Sequence, residues 1–192
     1  DAANIDEYLR NVLSLEAVAC KDWLTNKVDR SVTGKIARQQ CQGEIQLPLS
    51  DCGVVSLDYR GKAGIATSIG HAPQVALVDS AKGSVMAIAE ALTNISMTPI
   101  INGIKGLSLS ANWMWPCKNA GEDAALYRAV ESCSDFACAL GINIPTGKDS
   151  LSMTQKYGND KVYSPGTVIP SSLATSEISG SITIKRPLQF GE

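Results

Sequence analysis

A mixed α+β layer, in which a mainly antiparallel or mixed sheet carries helices on one face, is the architecture the sequence predicts, and three features point to it. Strand candidates come in runs before and after the helices instead of in strict strand–helix alternation. From Leu107 to Trp113 the pattern has a period of two, so Leu107, Leu109, Ala111 and Trp113 share one face while Ser108, Ser110 and Asn112 share the other. Two longer segments, about Ser80 to Met97 and the stretch following Gly121, repeat their apolar residues at helical spacing.

In chain order, Ile5, Tyr8, Leu9, Val12 and Leu13 mark an opening helix, with Leu15 to Val18 continuing it after a break near Ser14. Trp23 to Ile36 is rich in Val and Thr and is interrupted at Asn26 and at Asp29-Arg30, which suits a hairpin, and the polar Gln39 to Gln46 reads as a loop. Val54 to Tyr59, Ala63 to Ile69 and Gln74 to Val78 are three short strand candidates separated by turn residues. The helix from Ser80 carries a stripe of Val85, Ile88, Ala89, Leu92 and Ile95. After Gly121, the acids Glu122 and Asp123 open a helix with Leu126, Val130, Cys133, Ala137 and Leu140 toward the core. A Pro- and Ser-rich stretch from Ser164 to Ser172 precedes a last strand through Ile178, Gly180, Ile182 and Ile184.

The 192 residues are 44% apolar and 19% charged, enough for one compact domain and too apolar for disorder. With 17 Lys and Arg against 19 Asp and Glu, the formal charge of −2 gives no field to steer nucleic acid or an anionic membrane. No apolar run approaches the ~20 residues of a bilayer span, and Asp1 to Glu7 does not resemble a signal peptide. The start at Asp1 and the stop soon after a strand-like run lead us to expect a segment of a longer polypeptide. Cys20, Cys41, Cys52, Cys117, Cys133 and Cys138 form no CxxC pair, and His71 is the sole histidine, so a zinc site is not expected. Cysteines spaced this way read as buried small apolar residues in a reducing cytoplasm.

Gly147-Lys148-Asp149-Ser150 invites comparison with a phosphate-binding P-loop, but position 142 is isoleucine where that motif needs glycine, and Asp149 stands where it needs a hydroxyl. Glu90 and Asn94, four residues apart, lie about 40° apart around a helix axis and off its apolar stripe. A carboxylate and an amide carbonyl there suit Mg²⁺ better than a soft metal. Spacing alone nevertheless favours a solvated helix face. Asp51, next to the run from Cys52 to Leu57, is either a turn aspartate or a third metal oxygen. His71 has no nucleophile or carboxylate at a catalytic spacing and reads as a loop histidine.

Six stretches, taken in order, resemble the formylglycinamide ribonucleotide amidotransferase family of purine biosynthesis. Asn143 to Met153 (NIPTGKDSLSM) is similar to its IP-x-GKDS-x-SM stretch, Ala89 to Ile95 (AEALTNI) to its GEALTNI helix, and Leu109 to Met114 to its LSANWM strand. Gly121 to Tyr127 (GEDAALY) resembles GEDAGLY, Arg30 to Gly34 resembles the end of DRTVTG, and Ser50 to Cys52 resembles ADC. Ala89 replaces the family's glycine, a change a helix tolerates easily.

The resemblance implies the N-terminal ATP-binding type of domain found in the aminoimidazole ribonucleotide synthetase superfamily, here from the second half of the large single-chain form. Residues 1–20 are then a helical lead-in and 21–192 the domain. It further implies that Asp51, Glu90 and Asn94 hold Mg²⁺ at an ATP/ADP site, with Lys21 and Ser50 near the nucleotide. A fourth ligand, an aspartate, would come from the domain that follows. The expected role is an auxiliary site that keeps nucleotide without turning it over, within a ligase that uses ATP and glutamine. The expected partners are the homologous first half and a glutaminase domain, whose cysteine is none of those present here. The isolated segment should be inactive and could form a homodimer that imitates the paired halves.

Overall fold

The computed structural model describes residues 4–16, 18–21, 35–39, 41, 44–46, 50–60 and 63–177. The expected hairpin of Trp23 to Ile36 lies almost wholly outside them, as do parts of the Gln39 to Gln46 loop and all of the strand expected from Ile178 onward.

A lead-in helix α1 (Ile5–Leu13) leaves its whole apolar stripe exposed. The sheet is built from β1 (Ile36–Arg38), β2 (Cys52–Ser56), β3 (Ala63–Ile69), β4 (Leu107–Met114), β5 (Asn143–Ser150) and β8 (Thr167–Glu177). Its order is β1-β2-β3-β8-β4-β5, antiparallel throughout except for the parallel β4–β5 pair. The expected mixed sheet is borne out. Parallel neighbours need a long crossover, and helix α4 (Glu122–Leu140) supplies it. The strands β6 (Thr154–Tyr157) and β7 (Asp160–Tyr163) form a separate hairpin.

Helices α3 (Ser80–Ile95) and α4 cover one sheet face. Their core joins Ile88 and Ile95 of α3, Cys133 and Ala137 of α4, Leu107 and Leu109 of β4, Ala66 of β3, and Cys52 and Val54 of β2. On the other face Gly53, Thr67, Ile69 and Ser110 are exposed, as the alternation in β4 required. Both helices are turned slightly from their expected stripes. Ala87 and Ala91 are fully buried on α3 where Val85, Ala89 and Leu92 are half-buried, and Ala129 is buried on α4 while Val130 is exposed. Small side chains let the helices approach the sheet closely, so they take the innermost positions.

Gln74 to Val78 is not a strand. Pro73 occupies the first turn of a short helix α2 (Pro73–Val78), and Leu77 and Val78 are exposed, so the apolar run was never a buried strand. Asp79 then adopts an extended conformation and caps α3 by accepting from the Lys82 N–H at 3.1 Å. That bond, followed by the Lys82 side chain, holds the Asp79 carboxyl below its ordinary range despite some desolvation.

The last strand also starts earlier than expected, inside the Pro- and Ser-rich stretch, and runs through the middle of the sheet. Pro170 fits there because its carbonyl accepts from Gly70 N–H at 3.1 Å, just past the end of β3 at Ile69. Its missing donor therefore falls where the neighbouring strand stops, and only one ladder bond is lost.

All six cysteines are free, and Cys41, Cys52 and Cys133 are buried as expected, but Cys20 and Cys138 are exposed and Cys117 is half-buried. Cys138 lies on the outer side of α4, one residue past the buried Ala137. Burial pushes the Cys133 thiol up to about 11. Since the thiolate is the reactive form, maleimide at pH 8 is expected to label Cys133 only after denaturation. Peptide mapping that finds Cys133 labelled in the native protein would contradict this packing.

Candidate functional site

The site is set where β3 ends against the middle of α3. Ser68, the last buried residue of β3, donates its hydroxyl to the Ala91 carbonyl of α3 at 2.6 Å. Asn94 donates its side-chain amide to the Ile69 carbonyl at 2.9 Å. The His71 backbone N–H donates to Glu90 Oε2 at 2.6 Å. The backbone groups of Ile69 and His71 thus fix two side chains that lie one helical turn apart. Each keeps one oxygen uncommitted among the described residues, Oε1 of Glu90 and the amide oxygen of Asn94, and both residues are half-buried.

Gly70 makes this closeness possible. A Cβ at that position would lie 2.1 Å from the Ala87 carbonyl oxygen and 2.4 Å from the Ala91 nitrogen, so only glycine lets α3 rest directly on the strand end.

Asp51 is exposed and immediately precedes β2. Cys52 pairs with Ser68, so Asp51 lies one residue beyond that pair, at the same end of the sheet as Ile69 and His71. Ser50 is half-buried and its hydroxyl accepts from Arg38 Nε at 3.3 Å. Arg38 also donates to Cys52 Sγ at 3.6 Å, and Cys52 Sγ meets Thr98 Oγ1 at 3.1 Å, which secures the start of β2. Lys21 reaches back to the carbonyls of Glu16 and of Ala19, the latter at 3.0 Å. The structure therefore brings Asp51, Glu90 and Asn94 to one end of the sheet, while the bonds described for Lys21 join it to its own lead-in segment.

Among the described residues no three His, Cys, Asp or Glu side chains gather into a metal site. The candidate set is two carboxylates and an amide, all oxygen donors, and that chemistry fits Mg²⁺, which takes few protein oxygens and completes its shell with water and phosphate. Reading side chains alone misses what the backbone contributes. His71 holds Glu90 through its N–H and not its imidazole, and Gly70 sets the helix height. The Gly70-His71 turn is the only sequence signal for either.

The fold is a mixed α+β layer, and the candidate site gathers oxygen donors at one end of its sheet. The model for the FGAR-AT PurM_N-like domain matches residues 20–176, and the chain belongs to that family. It is 41% identical over 187 residues to phosphoribosylformylglycinamidine synthase of Homo sapiens, covering 96% of this chain and 14% of the human one. It is 44% identical over 170 residues to the Drosophila melanogaster enzyme of the same name, covering 88% of this chain and 12% of that one. The chain thus spans about one seventh of the length of these relatives. Two solved structures from Thermotoga maritima share the fold. PurLQS aligns with a TM-score of 0.66 at 13% identity, over 87% of this chain and 25% of that one. PurL complexed with ADP aligns with a TM-score of 0.60 at 13% identity, over 88% and 25%.

Proposed function

We propose that this chain is the ATP-binding-type domain from the second half of a phosphoribosylformylglycinamidine synthase, the ligase that uses ATP and glutamine to convert formylglycinamide ribonucleotide to formylglycinamidine ribonucleotide. Its own part in that reaction is an auxiliary Mg²⁺–nucleotide site and one wall of the synthetase core. The observation that carries this reading is the fixing of Glu90 and Asn94 by the backbone of residues 69–71, which leaves one oxygen of each uncommitted among the described residues, at the end of the sheet where Asp51 lies. Holding two ligands before the cation arrives reduces the ordering that binding would otherwise require.

In this reading Asp51, Glu90 and Asn94 hold Mg²⁺, and the ion, when bound, neutralises nucleotide phosphates. Ser50 borders the same strand end, and Lys21 would reach the nucleotide by leaving its present carbonyl partners. Residues 1–20 serve as lead-in and 21–192 as the domain. The partners are the homologous first half, packed on the exposed sheet face, and a glutaminase domain, and the segment alone would pair with itself through that face. Six free cysteines agree with a cytoplasmic setting. Among the described residues no helix is long and apolar enough to cross a membrane.

One competing reading is a pairing module whose nucleotide site stays empty. Equilibrium dialysis of the full-length protein separates the two. We expect one equivalent of ADP that requires Mg²⁺, is not turned over, and is lost in Asp51→Asn. No ADP bound by the wild type would leave only the pairing module, and equal, non-zero binding by wild type and Asp51→Asn would remove Asp51 from the ligand set.

A further inference from the structure

Glu90 and Asn94 are each fixed by a backbone group of residues 69–71, whereas the Asp51 side chain makes no hydrogen bond or ion pair among the described residues. Its place therefore depends on the residues that flank it, and one side chain holds both.

Arg38, the last residue of β1, is half-buried and reaches across to the start of β2. Its Nε donates to Ser50 Oγ at 3.3 Å and its Nη1 donates to Cys52 Sγ at 3.6 Å, so one guanidinium spans the residue before Asp51 and the residue after it. A planar fork holds two acceptors in a fixed relation, which a lysine ammonium on a flexible stem does not. The guanidinium forms no ion pair among the described residues, so these two flanks of Asp51 are what it serves.

The same contacts continue to the helix that carries the other two ligands. Cys52 Sγ meets Thr98 Oγ1 at 3.1 Å, and both residues are buried. The Thr98 N–H donates to the Ile95 carbonyl at 3.0 Å, which ties Thr98 to the last turn of α3, next to Asn94. Arg38, Cys52 and Thr98 thus link the strand end that presents Asp51 to the helix that presents Glu90 and Asn94.

We propose that Arg38 is a positioning residue for the cation site, which sets Asp51 against the α3 pair by bridging Ser50 and Cys52. This rests on the reading of Asp51 as a Mg²⁺ ligand. Arg38 does not itself touch the ion. Its charge works against its geometry, because a guanidinium near Mg²⁺ repels it. The two roles therefore differ in sign. Loss of the bridge weakens Mg²⁺ binding, whereas loss of the charge alone strengthens it.

Equilibrium dialysis of ADP with the full-length protein over a series of Mg²⁺ concentrations tests this. Arg38→Met, which keeps the stem and removes both donors, is expected to raise the Mg²⁺ needed for half-maximal ADP binding about 10-fold, as loss of a residue that orients a metal ligand does. Saturating Mg²⁺ should restore one equivalent of ADP. Arg38→Lys, which keeps the charge without the fork, should need as much Mg²⁺ as Arg38→Met. Thr98→Val, which keeps the shape and removes the hydroxyl from Cys52, should raise the requirement about 3-fold, and it carries the test if Arg38→Met does not fold. An unchanged or lower Mg²⁺ requirement in Arg38→Met, or a wild-type requirement in Arg38→Lys, would overturn the proposal. So would a loss of ADP that saturating Mg²⁺ does not restore, since Arg38 would then only support the fold. Failure of the underlying reading looks different, because Asp51→Asn would then bind ADP with the wild-type Mg²⁺ requirement, and the role of Arg38 would fall with it.

Discussion

Glu90→Ala in the full-length protein is expected to lower affinity for Mg²⁺–ADP at this site about 100-fold, whereas Lys82→Ala, on the same helix but at its far end, should change it less than 2-fold. Even residues that merely orient metal ligands typically cost 10- to 100-fold when removed, and in the proposed reading Glu90 is a ligand itself. In that reading the substitution removes one of the two carboxylates that would hold the cation, so phosphate charge would lose part of its compensation. It also strands the His71 N–H that now donates to Glu90 Oε2 at 2.6 Å. Glu90→Gln separates these effects, since the amide oxygen keeps the hydrogen bond while the charge is gone. A loss of about 10-fold or more in Glu90→Gln, with unchanged thermal unfolding, would point to charge and not to a disturbed turn. The measurement is the nucleotide content and ADP affinity of the purified variants. Equal values for Glu90→Ala and Lys82→Ala would remove Glu90 from the ligand set.

How much of this was legible in the sequence depends on whether side chains or backbone carry the feature. The β4 alternation and the helical spacing of α3 and α4 are side-chain patterns, and they point to the covered sheet face and to much of the core, though small residues off the expected stripes, Ala87, Ala91 and Ala129, take the innermost helical positions. Strand β5 is the opposite case. Asn143 to Ser150 contains Pro145 and Gly147 and few apolar residues, so nothing in its pattern says strand. It forms because β4 offers a free edge, and a bulge near Pro145, between the pairs Ser108–Asn143 and Ser110–Thr146, absorbs the missing N–H. The β6–β7 hairpin carries a local signal, since Gly158-Asn159 is a two-residue turn with Gly158 at positive φ. In β8 the proline hid a strand because its tolerance depends on where the neighbouring strand ends.

The candidate site divides the same way. Glu90 and Asn94 are recognisable as a pair from helical spacing, and Asp51 joins them only through the register of β2 on β3. The bonds that orient the pair come from the Ile69 carbonyl and the His71 N–H, groups every residue possesses, so they leave no trace in residue type. Only the glycine between them does, because a side chain there has nowhere to go.

Gly70→Ala is accordingly expected to be strongly disruptive. The new Cβ would stand 2.1 Å from the Ala87 carbonyl oxygen and 2.4 Å from the Ala91 nitrogen, both backbone atoms of α3. No rotamer relieves such an overlap, so the helix must lift by about 1 Å or more, and core overpacking of this kind costs ~3 kcal/mol. Lifting α3 stretches three bonds together, from Ser68 to Ala91, from Asn94 to Ile69 and from His71 to Glu90. The effect should therefore appear in two readouts. Hydrogen exchange of the α3 amides is expected to speed up about 100-fold, the rate equivalent of that loss, and Mg²⁺-dependent ADP binding should fall with it. Gly53→Ala is the matched control, on the adjacent strand β2, where a Cβ meets nothing within 4 Å. It should leave both measurements near wild type. If Gly70→Ala exchanges no faster than Gly53→Ala, α3 does not rest on the strand end as described, and the backbone cannot be what aligns Glu90 with Asn94.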